Sequence, residues 1–313
     1  DSLEKLTSFA SPGGAEIPFI GVRASVAEEW FKRVGKNLAD IQGEIDRKLE
    51  PASFAFAEDL TIAIKTNVQS MSKPVANVVG FLPGTTSEYV VIGAHYDHLG
   101  TGEQYSLAPD MAGSVHPGAD DNASGTAAVM ALARWFGTQP KQRRGLIFVA
   151  FAGEEIGLLG STWFTHSGIV PLNDVVGMIN MDMVGRMRDH SLIVGGTSTG
   201  EGLRERVLSA AKRFPFEVQT GSQAVYGSSD HTSFTSHGIP ALFFFTGLHA
   251  DYHRPSDTAE KINARDTALI AELVANVASS LAQSPDRPAF RSPGRKNACP
   301  EQIIVHTSPA SDR

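Results

Sequence analysis

Continuous apolar runs of strand length recur along the chain and alternate with segments whose apolar residues have helical spacing. The run GLIFVAFAG at residues 145–153 has no charged residue, as is typical of a strand that is buried on both faces. Similar runs lie at residues 75–83, 88–94, 175–185, 191–196 and 239–247. The helical segments lie at residues 125–137, 200–214 and 265–283. This alternation predicts an α/β protein, a three-layer α/β/α sandwich with a mixed, mostly parallel central sheet.

The pattern divides the chain into three predicted parts. Residues 1–69 lack the alternation and form an N-terminal segment, either part of a small accessory module or an extension that packs on the main domain. Residues 70–283 carry the alternation and form the main domain. Residues 284–313 are rich in Pro, Ser and Arg, so we expect an extended and partly disordered tail.

Composition argues against several classes of protein. The net charge is −7 and no basic run occurs, so the sequence has no basic segment of the kind that binds nucleic acid. No stretch of about 18 apolar residues occurs, which argues against a membrane span. The single cysteine, Cys299, excludes an internal disulfide and a cysteine-based zinc site. The chain begins at Asp1 without a methionine, which favours a processed product with a periplasmic or extracellular location. Nothing in the composition indicates the oligomeric state.

Candidate metal ligands occur in chain order, each in a short motif of its own. They are His95 in GAHYDHLG, Asp121 in GADDNASG, Glu155 in FAGEEIGLLGS, Asp182 in MINMDMVG and His253 in DYHRPSDT. Three of these motifs lie at or near the ends of predicted strands, where ligands bind in α/β sheets. Imidazoles and carboxylates without a thiolate form a plausible ligand set for a pair of Zn²⁺ ions.

The motif GADDNASG offers a shared ligand. Two metal ions about 3.5–4 Å apart need one ligand that bridges both, and a short carboxylate in a constrained turn suits that role. Asp121 lies in such a turn, between Asp120 and Asn122 and directly before a predicted helix. The alternative is that this segment is only the N-terminal cap of the helix, where Asp and Asn are favoured.

Two further groups of acidic residues surround the candidate ligands. Glu154 and Glu155 follow an apolar strand, and two adjacent buried carboxylates are unfavourable unless cations neutralise them. Because neighbouring side chains point in different directions, Glu155 is interpreted as a ligand and Glu154 as a general base. Asp97 follows His95 by two residues and could orient its imidazole.

The motif YGSSDH at residues 226–231 contains two other candidates. Tyr226 could donate a hydrogen bond to the oxyanion of a tetrahedral intermediate. Asp230 could accept a hydrogen bond from a histidine ligand. For Tyr226 the alternative is ordinary packing.

As an ordered set, these motifs make the chain similar to one family. It resembles the co-catalytic di-zinc aminopeptidases typified by secreted bacterial leucine aminopeptidases, which have glutamate carboxypeptidase II and the transferrin receptor as distant relatives. The resemblance covers residues 70–283 and rests on GAHYDHLG, GADDNASG, FAGEEIGLLGS, NMDMVG, SSDHTSF and DYHRPSDT. It implies a zinc peptidase domain with the phosphorylase/hydrolase-like fold of the zinc exopeptidases. Residues 17–66 are similar to the C-terminal part of a protease-associated domain, whose first half is absent here.

The resemblance also implies roles for individual residues. One Zn²⁺ would be held by His95 and Asp182 and the other by Glu155 and His253, with Asp121 bridging. Co²⁺ or Mn²⁺ could replace zinc in such a set. Glu154 would act as general base on a water bound by both ions, and Tyr226 would polarise the scissile carbonyl. The peptide bond between Asp121 and Asn122 would be cis.

The expected activity is therefore hydrolysis of the N-terminal peptide bond of a peptide substrate with a free amino terminus. One alternative is a carboxypeptidase or dipeptidase on the same scaffold, for which Arg186 or Arg254 could bind the substrate carboxylate. A second alternative is a glutaminyl cyclase, since related single-zinc enzymes cyclise N-terminal glutamine. A third is a binding module that has lost catalysis, which would show as missing ligands.

Overall fold

The computed structural model describes residues 20–56, 60–65, 73–111, 113–221 and 228–292. The chain divides into two compact units, Asp1–Lys73 and Pro74–Arg313. The strands of the second unit are β1 (Val78–Leu82), β2 (Tyr89–His95), β3 (Gly145–Phe151), β4 (Val175–Met181), β5 (Ser191–Gly195), β6 (Glu217–Thr220) and β7 (Ala241–Phe245). The α-helices of the chain are α1 (Ala24–Arg33) and α2 (Leu38–Lys48) in the first unit, and α3 (Gly125–Phe136), α4 (Leu159–His166), α5 (Leu203–Ala211), α6 (His231–Thr235) and α7 (Ala264–Gln283) in the second.

The strands form one seven-stranded sheet in the order β1-β3-β2-β4-β7-β5-β6. Its centre is parallel, because β2 pairs parallel with β3 and with β4, and β4 pairs parallel with β7. The pair β5–β6 is also parallel, whereas β1–β3 and β5–β7 are antiparallel. The predicted mixed and mostly parallel sheet is therefore confirmed.

Each face of the sheet carries its own core, because successive side chains of a strand point to opposite faces. On one face, Val90 and Ile92 of β2 pack in a cluster with apolar residues of α3, α5 and α7. On the other face, Val91 packs in a second cluster with Phe164 of α4 and Phe234 of α6. The predicted three-layer α/β/α sandwich is confirmed by these two cores.

The start of β3 is fastened to the end of α7 by a fully buried arginine. Arg144 donates from Nε to Glu88 Oε2 at 2.8 Å, and its NH1 group donates to the carbonyl oxygens of Leu281 and Ser284, both at 2.7 Å. A buried guanidinium needs this number of acceptors to offset its loss of hydration. The contact fixes the C-terminal helix at the sheet end opposite to the carboxyl ends of β2, β3 and β4.

The segment predicted as a tail begins with described residues that contact the rest of the second unit. Glu201 donates its backbone N–H to Ala289, and Arg291 donates its backbone N–H to Thr199. Residues 293–313 lie outside the described part of the chain. Over the described residues, no helix combines the length and apolar character that a membrane crossing needs.

The first unit is small and has its own aromatic cluster. The ring of Phe31 in α1 packs edge-on against Phe54 and Phe56, with centroids 5.3 and 5.5 Å away. Asn37 caps α2, because its Oδ1 accepts the backbone N–H groups of Ala39 and Asp40. The similarity of this segment to part of a protease-associated domain stays a prediction.

Candidate metal centre

The candidate ligands converge at the carboxyl edge of the sheet. His95 is the last residue of β2, Glu155 follows β3 by four residues and Asp182 directly follows β4. Because these strands are parallel neighbours, their carboxyl ends meet at one edge. Asp121 comes from the turn at Ala119–Ser124 before α3, and His253 comes from the loop after β7.

The five side chains form two halves that share one carboxylate. In the first half, His95 Nε2 lies 3.3 Å from Asp121 Oδ1 and 3.4 Å from Asp182 Oδ1. In the second half, His253 Nε2 lies 3.3 Å from Asp121 Oδ2 and 3.1 Å from Glu155 Oε2. The two oxygens of Asp121 therefore face different histidines, which is the arrangement that a bridging ligand requires.

The distances between these atoms fit metal ions. Ligand atoms about 2.0–2.2 Å from a tetrahedral ion lie about 3.3–3.6 Å from one another. In the described part of the chain, His95 Nε2, His253 Nε2 and Asp182 Oδ1 are buried and have no hydrogen-bond partner. Buried polar atoms rarely stay unpaired, so atoms aimed at a common centre indicate a site for cations. The residues present therefore fit a two-metal site.

The turn that carries Asp121 is held by hydrogen bonds to the end of β4. Asn122 donates from Nδ2 to the carbonyl of Met181 and accepts the backbone N–H of Met183. The peptide bond between Asp121 and Asn122 is cis. Gly118 has a φ of 62°, and a Cβ atom there would lie 2.3 Å from the Asp121 carbonyl oxygen, so this position requires glycine.

Asp97 contributes in a different way from the one predicted. Its backbone carbonyl lies 3.1 Å from His95 Nδ1, whereas its carboxylate oxygen is 3.7 Å away. The carboxylate instead accepts the backbone N–H of Glu154 at 3.1 Å and that of Glu155 at 3.4 Å. Asp97 thus orients the His95 ring mainly through its main chain, and its side chain holds the turn that presents both glutamates.

The second half has its own supporting contacts. His253 Nδ1 lies 2.9 Å from the carbonyl oxygen of Tyr105, which directs Nε2 towards the carboxylates. His98 Nδ1 lies 2.6 Å from Glu155 Oε1, so His98 contacts a ligand from the side away from His253 Nε2. The ring of Tyr252 stacks on His253 with centroids 3.8 Å apart.

The charges of the cluster shift the pKa values of its members strongly. Burial raises the pKa of Glu154 to about 9, and Asp182 adds to this effect although His95 opposes it. For His253, burial works to lower the pKa, but the adjacent carboxylates of Asp121 and Glu155 outweigh it and raise the pKa to about 10. Burial also raises the pKa of the Asp121 carboxyl, yet the two histidines outweigh it and the net pKa is lowered. By their own charges, these groups favour positive charge at the centre.

The predictions for two residues of the motif YGSSDH differ in their outcome. Tyr226 lies outside the described residues, so its role stays a prediction. The interpretation that Asp230 accepts a hydrogen bond from a histidine ligand is wrong, because His95 and His253 direct Nδ1 to backbone carbonyls. Asp230 is fully buried, and burial raises its pKa to about 7.

Sequence reasoning missed two contacts that support the site. The carboxylate of Asp257 accepts backbone N–H groups of the Asp121 turn, although the motif DYHRPSDT already contained this residue. Asp120 Oδ2 lies 3.1 Å from His249 Nε2, and Asp120 Oδ1 accepts the backbone N–H of Gly185. Only the shared loop of His249 and His253 could have indicated the second contact.

Known proteins that are similar to this chain share its fold. A probable leucine aminopeptidase of Arthroderma benhamiae is 28% identical over 215 residues, which cover 66% of this chain and 57% of that protein. The solved structure of an aminopeptidase from Aneurinibacillus sp. strain AM-1 is 28% identical, with a TM-score of 0.56 and coverage of 69% of this chain and 50% of that one. A zinc aminopeptidase from Bacillus subtilis is 26% identical, with a TM-score of 0.56 and coverage of 69% and 53%. The chain thus spans little more than half the length of these relatives.

A family model covers the whole sheet and all five predicted ligands. The model described as Peptidase family M28 matches residues 77–278, which is more than half of the chain. This range contains His95, Asp121, Glu155, Asp182 and His253. The chain therefore belongs to peptidase family M28.

Proposed function

We propose that this chain is a metal-dependent aminopeptidase that hydrolyses the N-terminal peptide bond of peptides with two bound zinc ions. All five predicted ligands, and every strand of the sheet, lie within the range 77–278 that the family model matches. The similar proteins are named as aminopeptidases, and one of them as a zinc aminopeptidase. The observation that carries the proposal is the contact of the two Asp121 oxygens with two different histidines.

The ligand set assigns residues to each ion. His95 and Asp182 would hold one zinc ion, Glu155 and His253 would hold the other, and Asp121 would be shared. When bound, the ions supply Lewis acidity, which lowers the pKa of a water and polarises a carbonyl group. The same nitrogen and oxygen ligands can accept Co²⁺ or Mn²⁺, so these ions are expected to substitute for zinc.

Glu154 is the residue that would move the proton. Its Oε2 atom lies 3.9 Å from His95 Nε2, farther than the 3.1–3.4 Å that separate the paired atoms of the five ligands. The raised pKa of Glu154 supports this role, because it favours the protonated form that a base reaches after taking a proton. Glu154 would take a proton from the attacking water at Oε2 and then give it to the amine that leaves.

The proposed substrate has a free amino terminus, because the similar proteins are named as aminopeptidases. The carboxylates of Asp121, Glu154, Glu155 and Asp182 lie at one edge of the sheet, where together they would balance the charge of two Zn²⁺ ions. Tyr226 is proposed to donate a hydrogen bond to the oxyanion of the intermediate.

The carboxypeptidase and dipeptidase alternative needs a basic side chain that is free to bind a carboxylate. Arg186 donates from NH1 to Asp251 Oδ2 at 2.6 Å and is therefore already paired with an acidic residue. This contact gives no support to that alternative. Turnover of an aminoacyl-nitroanilide, compared with an N-blocked peptide of the same side chain, separates an aminopeptidase from both alternatives.

The proposal is tested by replacing Glu154 with Gln in protein loaded with zinc. We expect kcat to fall by about 10²–10⁴-fold, because the amide keeps the shape of the carboxylate but accepts no proton. Glu201→Gln, at an exposed glutamate that pairs with Arg291, is the matched control and should keep its turnover. Metal content is measured in both variants. Full turnover by Glu154→Gln with two zinc ions bound would reject the role of Glu154, and one zinc ion in the active wild type would favour a cyclase.

A further inference from the structure

A buried aspartate connects the turn of the shared ligand with the loop of a histidine ligand. Asp257 is fully buried and lies four residues after His253. We infer that Asp257 is a positioning residue, which sets the place of Asp121 relative to His253 and so determines how tightly the metal pair is held. This inference rests on the proposed function, because it concerns the same metal site.

The contacts of Asp257 are all directed at one short piece of backbone. The Asp120 N–H donates to Asp257 Oδ1 at 3.2 Å and to Oδ2 at 3.0 Å, and the Asp121 N–H donates to Oδ2 at 3.1 Å. The Ala119 N–H donates to the backbone carbonyl of Asp257 at 3.2 Å. Three successive N–H groups of the turn therefore bind one residue of the opposite loop.

A role in packing alone does not account for the buried negative charge of Asp257. A buried carboxylate is unfavourable unless hydrogen bonds or opposite charges compensate it. Among the described residues, no lysine, arginine or histidine forms an ion pair with Asp257, whereas three hydrogen bonds from the Asp121 turn reach its carboxylate. The backbone of the ligand turn is therefore the partner that compensates this carboxylate.

The location explains which part of the site Asp257 controls. Asp121 and His253 belong to the same half of the centre, with 3.3 Å between Asp121 Oδ2 and His253 Nε2. Asp257 holds the backbone of the first residue and belongs to the loop of the second. A shift of either segment would change the spacing between two ligands of one ion, and groups that orient ligands typically contribute 10–100-fold to metal affinity.

The test replaces Asp257 with Asn, which has the same shape. The amide has only one acceptor oxygen, so its NH₂ group would face a backbone N–H of the turn, donor against donor. We expect the Kd of at least one of the two zinc ions to rise about 10–100-fold, as measured by competition with a chromophoric chelator. Glu88→Gln is the matched control, because it removes the charge that pairs with buried Arg144 away from the site, and it should leave both Kd values within about 3-fold of wild type.

A second measurement separates positioning from general stability. A merely structural role would lower the Tm of the metal-free Asp257→Asn protein but leave the increase in Tm on zinc binding unchanged, as we expect for Glu88→Gln. The inference predicts a smaller zinc-induced increase for Asp257→Asn than for wild type. If Asp257→Asn binds both zinc ions with wild-type Kd values and shows the wild-type increase in Tm on zinc binding, the inference is overturned, whatever its turnover. Two tightly bound ions in wild type without any peptidase activity would instead contradict the proposed function, and the comparison of Kd values would still decide the role of Asp257.

Discussion

Replacement of Arg144 by Met should destabilise the second unit without changing its chemistry. Arg144 is fully buried and donates to Glu88, Leu281 and Ser284 at 2.7–2.8 Å. Methionine fills part of the space but donates nothing, so these acceptors lose their partner. An acceptor left unpaired in a buried position costs about 1–3 kcal/mol, and this applies in full to Leu281, whose bond with Arg144 is buried.

The remaining acceptors contribute less because water can reach them. The Glu88 side chain is 28% exposed, so its lost pairing contributes about 1 kcal/mol, and the partly buried carbonyl of Ser284 contributes about 0.5–1 kcal/mol. The sum is about 2.5–5 kcal/mol of unfolding free energy. With an unfolding entropy of about 0.5 kcal/mol/K for a unit of this size, Tm should fall by about 5–10 °C.

The assay is thermal and urea unfolding followed by circular dichroism, with Arg143→Met as the matched control. Arg143 is exposed and directly precedes Arg144, so its replacement should change the unfolding free energy by no more than about 0.5 kcal/mol. Since Arg144 lies at the start of β3 and Glu154 follows the end of β3, kcat of the folded Arg144→Met protein should stay at the wild-type value. Equal stabilities for the two variants would refute the reasoning.

Two further predictions concern the cluster itself. Zinc binding to metal-free protein at pH 8 should release protons, because the raised pKa values of His253 (about 10) and Glu154 (about 9) mean that both groups hold protons there and must lose them. The sign follows: zinc affinity should rise with pH up to about these values. If His253 and Glu154 had ordinary pKa values, only the metal-bound water could release a proton at pH 8, so a release larger by up to about two protons is expected, as pH-stat titration and calorimetry in two buffers would show. Replacement of His98 by Ala should weaken zinc binding about 10–100-fold by removing its 2.6 Å contact with Glu155, and chelator competition measures this. His166→Ala, at an exposed histidine outside the cluster, should bind zinc as wild type does.

The sequence predicts the site's location because of one property of parallel sheets. The motifs of His95, Glu155 and Asp182 come at or just after the ends of apolar runs, and the carboxyl ends of parallel strands meet at one edge. These three ligands could therefore be placed from their positions in their motifs. The three-layer architecture follows from the same runs, because strands that are apolar on both sides need a helical layer on each face.

Other elements leave little signal in the sequence. Strand β6 (Glu217–Thr220) lies at the edge of the sheet and has polar residues at three of its four positions, so no apolar run marks it. Helices α4 and α6 are short and contain few apolar residues, which obscures the helical period. The order of the strands, and hence which neighbours are antiparallel, depends on contacts between distant segments.

Local sequence patterns also do not predict the contacts that support the site. Asp97 is two residues from His95, which predicts a contact between their side chains, but the structure uses the Asp97 carbonyl for His95 and the carboxylate for the turn after β3. Asp257 is separated from Asp121 by 136 positions in the chain. Such pairs form only because the loops of a folded sheet edge come together, and no spacing in the sequence encodes them.

The most direct test of the central claim is an anomalous-scattering map of crystals of the protein, recorded at energies above and below the zinc absorption edge. The structure predicts two peaks, one beside His95 and Asp182 and the other beside His253 and Glu155, with the Asp121 carboxylate between them. A single peak, or zinc bound away from these five side chains in active protein, would contradict the account.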